Sequence, residues 1–397
     1  MTRRGSVRRV CVVTGSRAEY GLLRTVLRAL RRQRGVQPQL LVTGTHLLRK
    51  FGHTIDEIRA DGFRIDAAVR MQTGADDAIA DAEAVGRGVT GIARAIKQLR
   101  TDMIVVLGDR IEAFAAASAA VCARRFVAHL HGGDRAVGDV DDSLRHAISK
   151  LAHVHFAATE DAARRLRRMG ELASRVFCVG APGLDEIRAI RRPSKAWLRG
   201  RLGWPDLPEY AVVAQHPCGR SPATEARDMV ATLSAVARAG LAGVVTYPNS
   251  DPGHSGIIEA INRVCGASSR RCGGVSKADR GRWRVQPSMG RDDFIRILKG
   301  ARVIVGNSSS GIIESATAGV PAVNIGPRQK GRLRCGRGVI DAGYGETPVL
   351  AAVRRALRLR VEPDNNIYGD GRTGQRIAQI LGRLDLSEAF RQKLNRY

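Results

Sequence analysis

Short apolar runs alternate with longer amphipathic stretches along most of the chain. Val10–Val13, Met103–Leu107 and Phe126–Leu130 are uninterrupted and rich in β-branched residues, which predicts strands buried on both faces. Helical patterns lie between such runs, as in Leu22–Arg32 and Ala113–Arg124. Because strands alternate with helices, the pattern indicates βαβ units and therefore parallel sheets.

The same patterns predict the remaining elements, with a turn over Thr14–Gly21 after the first strand. Further strands are predicted at Gln39–Val42, Val154–Ala157, Tyr210–Ala214, Gly243–Thr246, Arg282–Val285, Val303–Val305 and Ala322–Asn324. Further helices are predicted at Leu144–Ala152, Ala223–Ala239, Ser255–Cys265 and Thr373–Leu384.

The alternation weakens between residues 181 and 208, where four prolines occur. With 397 residues, the chain is long enough for two cores. We therefore expect two doubly wound, Rossmann-like α/β domains, one over residues 1–181 and a nucleotide-binding one over 182–372, with 373–397 packing back onto the first. In such a fold ligands bind where strand carboxyl ends face a cleft, here the cleft between the domains.

The formal charge of +27 suggests a nucleic-acid partner at first sight. However, 57 of the 65 basic residues are arginines spread over the whole chain, and no basic stripe with interleaved aromatic residues is present. The charge excess therefore fits solvated helix faces that also attract anionic ligands. We expect no nucleic-acid partner.

Cysteine usage and hydropathy indicate the compartment. The seven cysteines are scattered, without a CxxC pair, which argues against a disulfide framework or a zinc site. No apolar run has the length of a signal or of a membrane span. These patterns predict a cytoplasmic protein with no membrane association.

A serine-rich segment follows the apolar run Val303–Val305. Its sequence, GNSSSG, leads into Ile312, Ile313 and Glu314, where we expect a helix to begin. A helix start offers unpaired backbone N–H groups to an anion such as a diphosphate. Ser309 and Ser310 add hydroxyl groups, and Glu314 could reach a ribose hydroxyl; an ordinary capped helix is the alternative.

Charged residues also follow the strands of the first half. Arg17 in TGSRAEYG suits bidentate phosphate contact, with Glu19 as its orienting acid, or forms a surface ion pair. Asp109 in GDR is a candidate base or sugar-hydroxyl acceptor, or a helix cap.

Histidines and acids are dense between residues 129 and 155. HLHGGD, with His131, is followed by Asp142, Arg145 and His146. The spacing lacks a zinc pattern and suits proton transfer better, although some of these histidines are expected to be packing or capping groups.

In the second half, His216 in QHP could act as a general acid or bind a leaving phosphate, or could be a loop histidine without a role. Asn249 in YPNSD could read sugar or base hydroxyls, or could form a turn. Arg328 in NIGPRQKGR could bind phosphate, or could belong to a solvated basic loop.

These motifs together resemble the hydrolysing UDP-N-acetylglucosamine 2-epimerases of sialic-acid precursor synthesis. TGSRAEYG, GDR, HLHGGD, DDSLRHAISKLAH, QHP, YPNSD, GNSSSGIIES and NIGPRQKGR occur in the family's order between about residues 10 and 332. The resemblance implies a GT-B-like pair of Rossmann domains, no metal or other cofactor, and a homodimer or homotetramer.

The resemblance also implies a reaction. UDP-GlcNAc loses the proton on carbon 2 and then UDP, and water adds to 2-acetamidoglucal to give N-acetylmannosamine. By position, the catalytic residues are Asp109, His131, Asp142 and His216. The substrate-binding residues are Arg17, Arg145, Asn249, Ser309, Ser310, Glu314 and Arg328.

One position departs from many relatives. Non-hydrolysing relatives in particular carry Glu where this chain has His131, so the proton acceptor stays open among His131, Asp109 and Asp142. Alternative substrates are GDP-GlcNAc and UDP-N,N'-diacetylbacillosamine, and a non-hydrolysing epimerase is an alternative reaction. A GT-B glycosyltransferase or a basic nucleic-acid-binding protein are alternatives of other classes.

Overall fold

A computed structural model describes residues 7–75, 77–135, 140–266, 281–363 and 366–394. They form two compact units. The first contains the described residues up to Arg135, those of Val140–Glu186 and those from Tyr368 onward; the second contains those of Ile187–Ile367. The change between units falls after Glu186, inside the proline-containing stretch 181–208 and five residues beyond the boundary expected at 181.

The first unit is built on a seven-stranded parallel sheet of order β3-β2-β1-β4-β5-β6-β7. Its strands are β1 (Arg8–Thr14), β2 (Val36–Thr43), β3 (Ala67–Val69), β4 (Met103–Leu107), β5 (Phe126–Leu130), β6 (Val154–Ala157) and β7 (Val176–Cys178). Its helices are α1 (Arg17–Arg32), α2 (Ile55–Ala60), α3 (Ala78–Gln98), α4 (Ile111–Cys122), α5 (Asp141–Leu151) and α6 (Glu160–Arg168).

The second unit has a six-stranded parallel sheet of order β10-β9-β8-β11-β12-β13. Its strands are β8 (Tyr210–Ala214), β9 (Ala242–Thr246), β10 (Trp283–Gln286), β11 (Val303–Gly306), β12 (Ala322–Ile325) and β13 (Val339–Ala342). Helix α7 (Gly183–Ala189) spans the change of unit, and α8 (Lys195–Leu202), α9 (Pro222–Arg238), α10 (His254–Cys265), α11 (Arg291–Gly300), α12 (Ser310–Ile313), α13 (Ser315–Ala318) and α14 (Glu346–Ala356) follow. Helices α15 (Thr373–Arg383) and α16 (Glu388–Arg391) belong to the first unit.

Each sheet is covered on both faces, as the uninterrupted apolar runs predict. Along β1, Val10 and Val12 pack into one apolar cluster, whereas Cys11 and Val13 pack into the cluster on the other face. The second unit repeats this division. The predicted class, two doubly wound α/β units with parallel sheets, is confirmed.

Helix α15 completes one face of the first unit. Ile377, Ala378 and Leu381 are buried in the same apolar cluster as Leu23 of α1. Its first two backbone N–H groups, those of Thr373 and Gly374, donate to the Asp185 carboxylate over 3.0 and 2.8 Å. A side chain from α7 therefore caps the helix that returns from the end of the chain.

The strand positions agree with the pattern more closely than the helix starts do. Strands β4, β5, β6 and β8 have the predicted bounds. The turn predicted over Thr14–Gly21 is wrong, because α1 already begins at Arg17. Helix α5 begins at Asp141 rather than Leu144. None of the described helices is long and apolar enough to cross a membrane.

The C-terminal segment is attached to the first unit through Lys393. Its ammonium group donates to the carbonyls of Ser149, Lys150 and Ala152 at 3.0, 2.7 and 2.8 Å, the last turn of α5. It also lies 2.8 Å from the buried Glu171 carboxylate. Burial alone would raise the pKa of Glu171. His155, Lys393 and Lys150 outweigh burial and lower that pKa to about 2.

We expect Lys393→Ala to lower the free energy of unfolding by about 2–4 kcal/mol, because it leaves a buried carboxylate and three carbonyls short of a donor. Arg391→Ala is the matched control, because its pair with the exposed Glu388 is worth less than ~1 kcal/mol. Urea unfolding followed by circular dichroism measures both. Equal losses in the two variants would contradict the prediction.

Candidate active site

Polar residues of the first unit collect at the carboxyl ends of β4 and β5. Asp109 follows β4, and His131 follows β5, its direct neighbour in the sheet. Helix α5 brings Arg145 to the same edge. Its guanidinium pairs with Asp109 and also donates to the His131 carbonyl at 3.2 Å. The structure thus places three of the predicted site residues together.

Arg145 is almost fully buried, at 1% exposure, so its charge must be compensated where it lies. The Asp109 carboxylate provides that compensation. The pair fixes the carboxylate at the strand end and joins β4 to α5. Asp109 is therefore held in one orientation.

His131 is held in an unusual backbone conformation. Its φ of 60° lies in the left-handed region that side chains other than glycine rarely adopt. Its Nδ1 lies 2.9 Å from the buried Asp134 carboxylate, which orients the ring. Strained backbone at a polar residue on a strand end is typical of functional sites.

The glycine pair in HLHGGD serves packing rather than flexibility. A Cβ on Gly133, whose φ is 75°, would lie 2.3 Å from the Ala162 carbonyl oxygen. The neighbouring His129 lies under this turn and contacts the Gly108 carbonyl at 2.7 Å and the Ser149 hydroxyl at 3.1 Å. Burial lowers the pKa of His129 to about 3, so this ring is a neutral packing group.

Asp142 and His146 lie one turn apart on α5, together with Arg145. The His146 Nε2 is 3.6 Å from the Asp142 carboxylate. Burial lowers the pKa of His146 against the opposing effect of Asp142. An acid and an imidazole on one helix face form a second group suited to proton transfer.

At the end of β1, Ser16 caps α1 and Arg17 lies in the first helical turn. Burial lowers the pKa of Arg17, and the charge of Glu57 opposes that shift. Glu19, expected to orient Arg17, is buried and accepts from the Gly15 N–H at 2.6 Å. Glu19 therefore supports the turn that precedes Arg17.

In the second unit, His216 is fixed by two loops. The Asn307 side chain accepts from the His216 N–H at 2.7 Å and donates to its carbonyl at 2.8 Å. The Asn249 N–H donates to the His216 Nδ1 at 3.0 Å. Because Nδ1 accepts, the neutral ring carries its proton on Nε2, which is then a donor.

Asn249 and Arg328 both contact Asp251, the acid of the YPNSD segment. The Asn249 amide donates to its carboxylate, and the Arg328 guanidinium lies 3.6 Å from it. The structure thus brings His216, Asn249 and Arg328 into one network of loops after β8, β9 and β12.

The serine-rich loop differs from its prediction. Ser310 begins a helix of only four residues, α12, and a second short helix follows from Ser315, with Glu314 between them. The helix expected after this loop is therefore divided at Glu314 into two four-residue helices. Glu314 is 3% exposed and its carboxylate receives two hydrogen bonds from Arg291, at 2.7 and 3.1 Å.

Sequence reasoning overlooked two residues that support this site, namely Asn307 and Arg291. Asn307 belongs to the GNSSSG motif directly after β11, so its position was a usable signal. Arg291 carries no sequence signal that links it to Glu314. Within the described residues, no three His, Cys, Asp or Glu side chains lie close enough to hold a metal ion.

Comparison with known proteins gives the family. The sequence profile described as UDP-N-acetylglucosamine 2-epimerase matches residues 28–382. The chain belongs to this family. The family resemblance drawn from the motifs is thereby confirmed, and the protein is an enzyme of the 2-epimerase family.

Three relatives of this epimerase have stated activities. A UDP-N,N'-diacetylbacillosamine 2-epimerase (hydrolyzing) from Legionella pneumophila is 35% identical over 98% of this chain and 100% of the relative. A GDP/UDP-N,N'-diacetylbacillosamine 2-epimerase (hydrolyzing) from Campylobacter jejuni is 31% identical over 85% of both chains. A UDP-N-acetylglucosamine 2-epimerase from Neisseria meningitidis is 29% identical over 98% of both.

Solved structures agree with the fold. A UDP-GlcNAc 2-epimerase from Neisseria meningitidis bound to UDP-GlcNAc has a TM-score of 0.74 and 15% identity over 94% of this chain and 99% of that one. The likeness confirms the GT-B-like class of this epimerase.

The buried Glu19 predicts a pH dependence of stability. Burial, and then the charge of Glu112, raises the pKa of Glu19 from 4.5 to about 8. Between these values the unfolded chain has lost the proton that the folded protein keeps. The free energy of unfolding therefore falls as the pH rises through this window.

We expect Glu19→Gln to gain stability relative to the wild type as the pH rises from 5 to 9, by roughly 5 °C in Tm, because glutamine cannot ionise. Calorimetry at both pH values measures the difference. Glu83→Gln on the exposed surface of α3 serves as the control and should show no such trend. A constant difference between Glu19→Gln and wild type would contradict the assignment.

Proposed function

We propose that this protein is a hydrolysing 2-epimerase of a UDP-linked 2-acetamido sugar, releasing UDP and the free sugar with inverted carbon 2. The observation that carries the proposal is the cluster at the ends of β4 and β5. There a buried Asp109–Arg145 pair adjoins His131, whose ring is oriented by Asp134. Such a cluster suits removal of a proton from carbon.

In the proposed first step, His131 accepts the proton from carbon 2 of the sugar. The electron pair of the broken carbon–hydrogen bond forms a double bond between carbons 1 and 2, and the bond from carbon 1 to the diphosphate oxygen breaks. The Asp134 carboxylate stabilises the imidazolium that forms. We favour His131 over Asp109 because the Asp109 carboxylate is already paired with Arg145.

The departing diphosphate needs hydrogen-bond donors and positive charge. The proposed hydrogen-bond donor is His216: its Nδ1 accepts from Asn249, so the neutral ring carries its proton on Nε2 and keeps that proton while donating to the leaving oxygen. Ser309 and Ser310 would add hydroxyl donors, and Arg17 and Arg328 positive charge. In this proposal Asn249 orients His216, and Glu314 binds the ribose.

Hydration of the glycal completes the reaction. A base takes a proton from water, and the hydroxyl oxygen forms a bond to carbon 1. An acid gives a proton to carbon 2 on the sugar face opposite to the one from which His131 removed it. Asp142 and His146, 3.6 Å apart on α5, are the proposed pair for this step. The sum is the substrate plus water giving UDP and the epimerised sugar.

Among the substrates, UDP-N,N'-diacetylbacillosamine is favoured. The two relatives named for that sugar are 35% and 31% identical to this chain, whereas the relative named for UDP-GlcNAc is 29% identical. UDP-GlcNAc, with N-acetylmannosamine as the product, is the second candidate. The homodimer or homotetramer that the resemblance implies stays a prediction.

Proton NMR of products after incubation with each nucleotide sugar tests this proposal. We expect UDP and a free sugar with inverted carbon 2, and incorporation of deuterium at carbon 2 in heavy water, because that proton exchanges. A product that retains UDP would identify a non-hydrolysing epimerase. No turnover of either substrate would overturn the proposal.

We expect Asp109→Asn to lower kcat/KM at least about a thousandfold, because the positioned carboxylate and its pair with Arg145 are both lost. UDP release measures the rate, and thermal melting verifies the fold. Asp206→Asn, at an exposed position of the second unit, is the matched control and should keep the full rate. A wild-type rate in Asp109→Asn would show that the Asp109–Arg145 pair is not needed for turnover and would refute its part in the cluster.

A further inference from the structure

Glu112 lies beneath the turn that leads into Arg17, a proposed site residue of the first unit. It belongs to the first turn of α4, three residues after Asp109, and is 1% exposed. A Cβ on Gly15, in the turn before Arg17, would lie 2.5 Å from the Glu112 Cγ. Only a glycine at residue 15 leaves room for this side chain.

A second glycine turn closes over the same carboxyl group. Gly44, after β2, has a φ of 62°, and a Cβ there would lie 2.4 Å from the Gly15 carbonyl oxygen and 2.6 Å from the Glu112 Oε1. The Thr45 hydroxyl donates to that Gly15 carbonyl at 3.1 Å. Glu112, in the first turn of α4, is thus enclosed by the loops after β1 and β2.

The two carboxyl oxygens of Glu112 have different surroundings. The Arg110 Nε lies 3.2 Å from its Oε2, whereas its buried Oε1 has no hydrogen-bond partner among the described residues. Glu19, on the other side of the Gly15 turn, is also buried and accepts from the Gly15 N–H. The buried carboxyl groups of Glu19 and Glu112 therefore both contact the Gly15 turn, and Arg110 is the cation paired with Glu112.

We propose that Glu112 is a positioning residue: packed beneath Gly15 and paired with Arg110, it fixes the start of α1 against the Asp109 loop and so orients Arg17 toward the diphosphate. This inference rests on the proposed function, in which Arg17 binds that diphosphate. Glu112 itself touches no reacting atom. It acts through the Gly15 turn.

Protonation of Glu19 keeps this arrangement intact. Burial and the charge of Glu112 raise the pKa of Glu19 to about 8, so at neutral pH Glu19 is mainly uncharged. The other ionisable groups here are Arg17, Glu57, Arg110 and His46. Burial lowers the pKa of His46 to about 3, so that ring stays neutral. Above pH 8, two like charges face each other across the turn.

The test is calorimetric titration with UDP from pH 7 to pH 9, together with KM and kcat for the nucleotide sugar. We expect Glu112→Gln to weaken UDP binding by roughly tenfold and to raise KM more than it lowers kcat, because Arg17 is misoriented while the Asp109 cluster remains. Glu83→Gln on the surface of α3 is the control for loss of one carboxylate.

The pH series supplies a readout that a purely structural role would not move. Ionisation of UDP changes its affinity for the wild type and for Glu19→Gln equally, so it drops out of the ratio of the two affinities. We expect the wild-type affinity divided by the Glu19→Gln affinity to fall severalfold between pH 7 and pH 9. This comparison remains valid if Glu112→Gln does not fold.

Two results separate the possible failures. Unchanged UDP affinity in Glu112→Gln, or a ratio constant with pH, would overturn this inference while leaving the epimerase proposal standing. A wild-type protein that neither binds UDP nor releases it from a nucleotide sugar would overturn the proposed function itself.

Discussion

The buried guanidinium of Arg145 is the constraint around which the first unit's site is arranged. A charge in the interior is tolerated only where it is paired and hydrogen-bonded. Arg145 satisfies this condition through Asp109 at the end of β4 and the His131 carbonyl at the end of β5. One side chain on α5 therefore fixes two neighbouring strand ends and the polar groups that follow them.

The strands were predictable because both faces of a parallel sheet are buried. Val303–Val305 and Met103–Leu107 have no polar side to obscure the signal, and each lies at its predicted position. Helix α3 was missed although its start carries a signal, since Asp77 caps it by accepting from the Ala80 N–H and Asp81 lies in its first turn. The three glycines of its sequence lower its helix propensity and weaken the helical pattern.

The start of α1 shows a signal that was present and overlooked. Ser16 followed by Glu19 has the spacing of a capping box, which predicts a helix from Arg17 rather than a turn. The motif's side-chain contacts could not be predicted. Glu19 bonds to Gly15, and Glu112 reaches the same turn from α4, nearly a hundred residues further along the chain. Long-range packing of this kind has no local signature.

The membership of α15 in the first unit has a consequence for synthesis of the protein. The apolar cluster of α1 includes Ile377 and Leu381, which leave the ribosome after the whole second unit. The second unit is continuous from Ile187 to Ile367 and can complete its core during translation. The first unit holds His131, the proposed proton acceptor, yet its core closes only when the nascent chain is nearly complete.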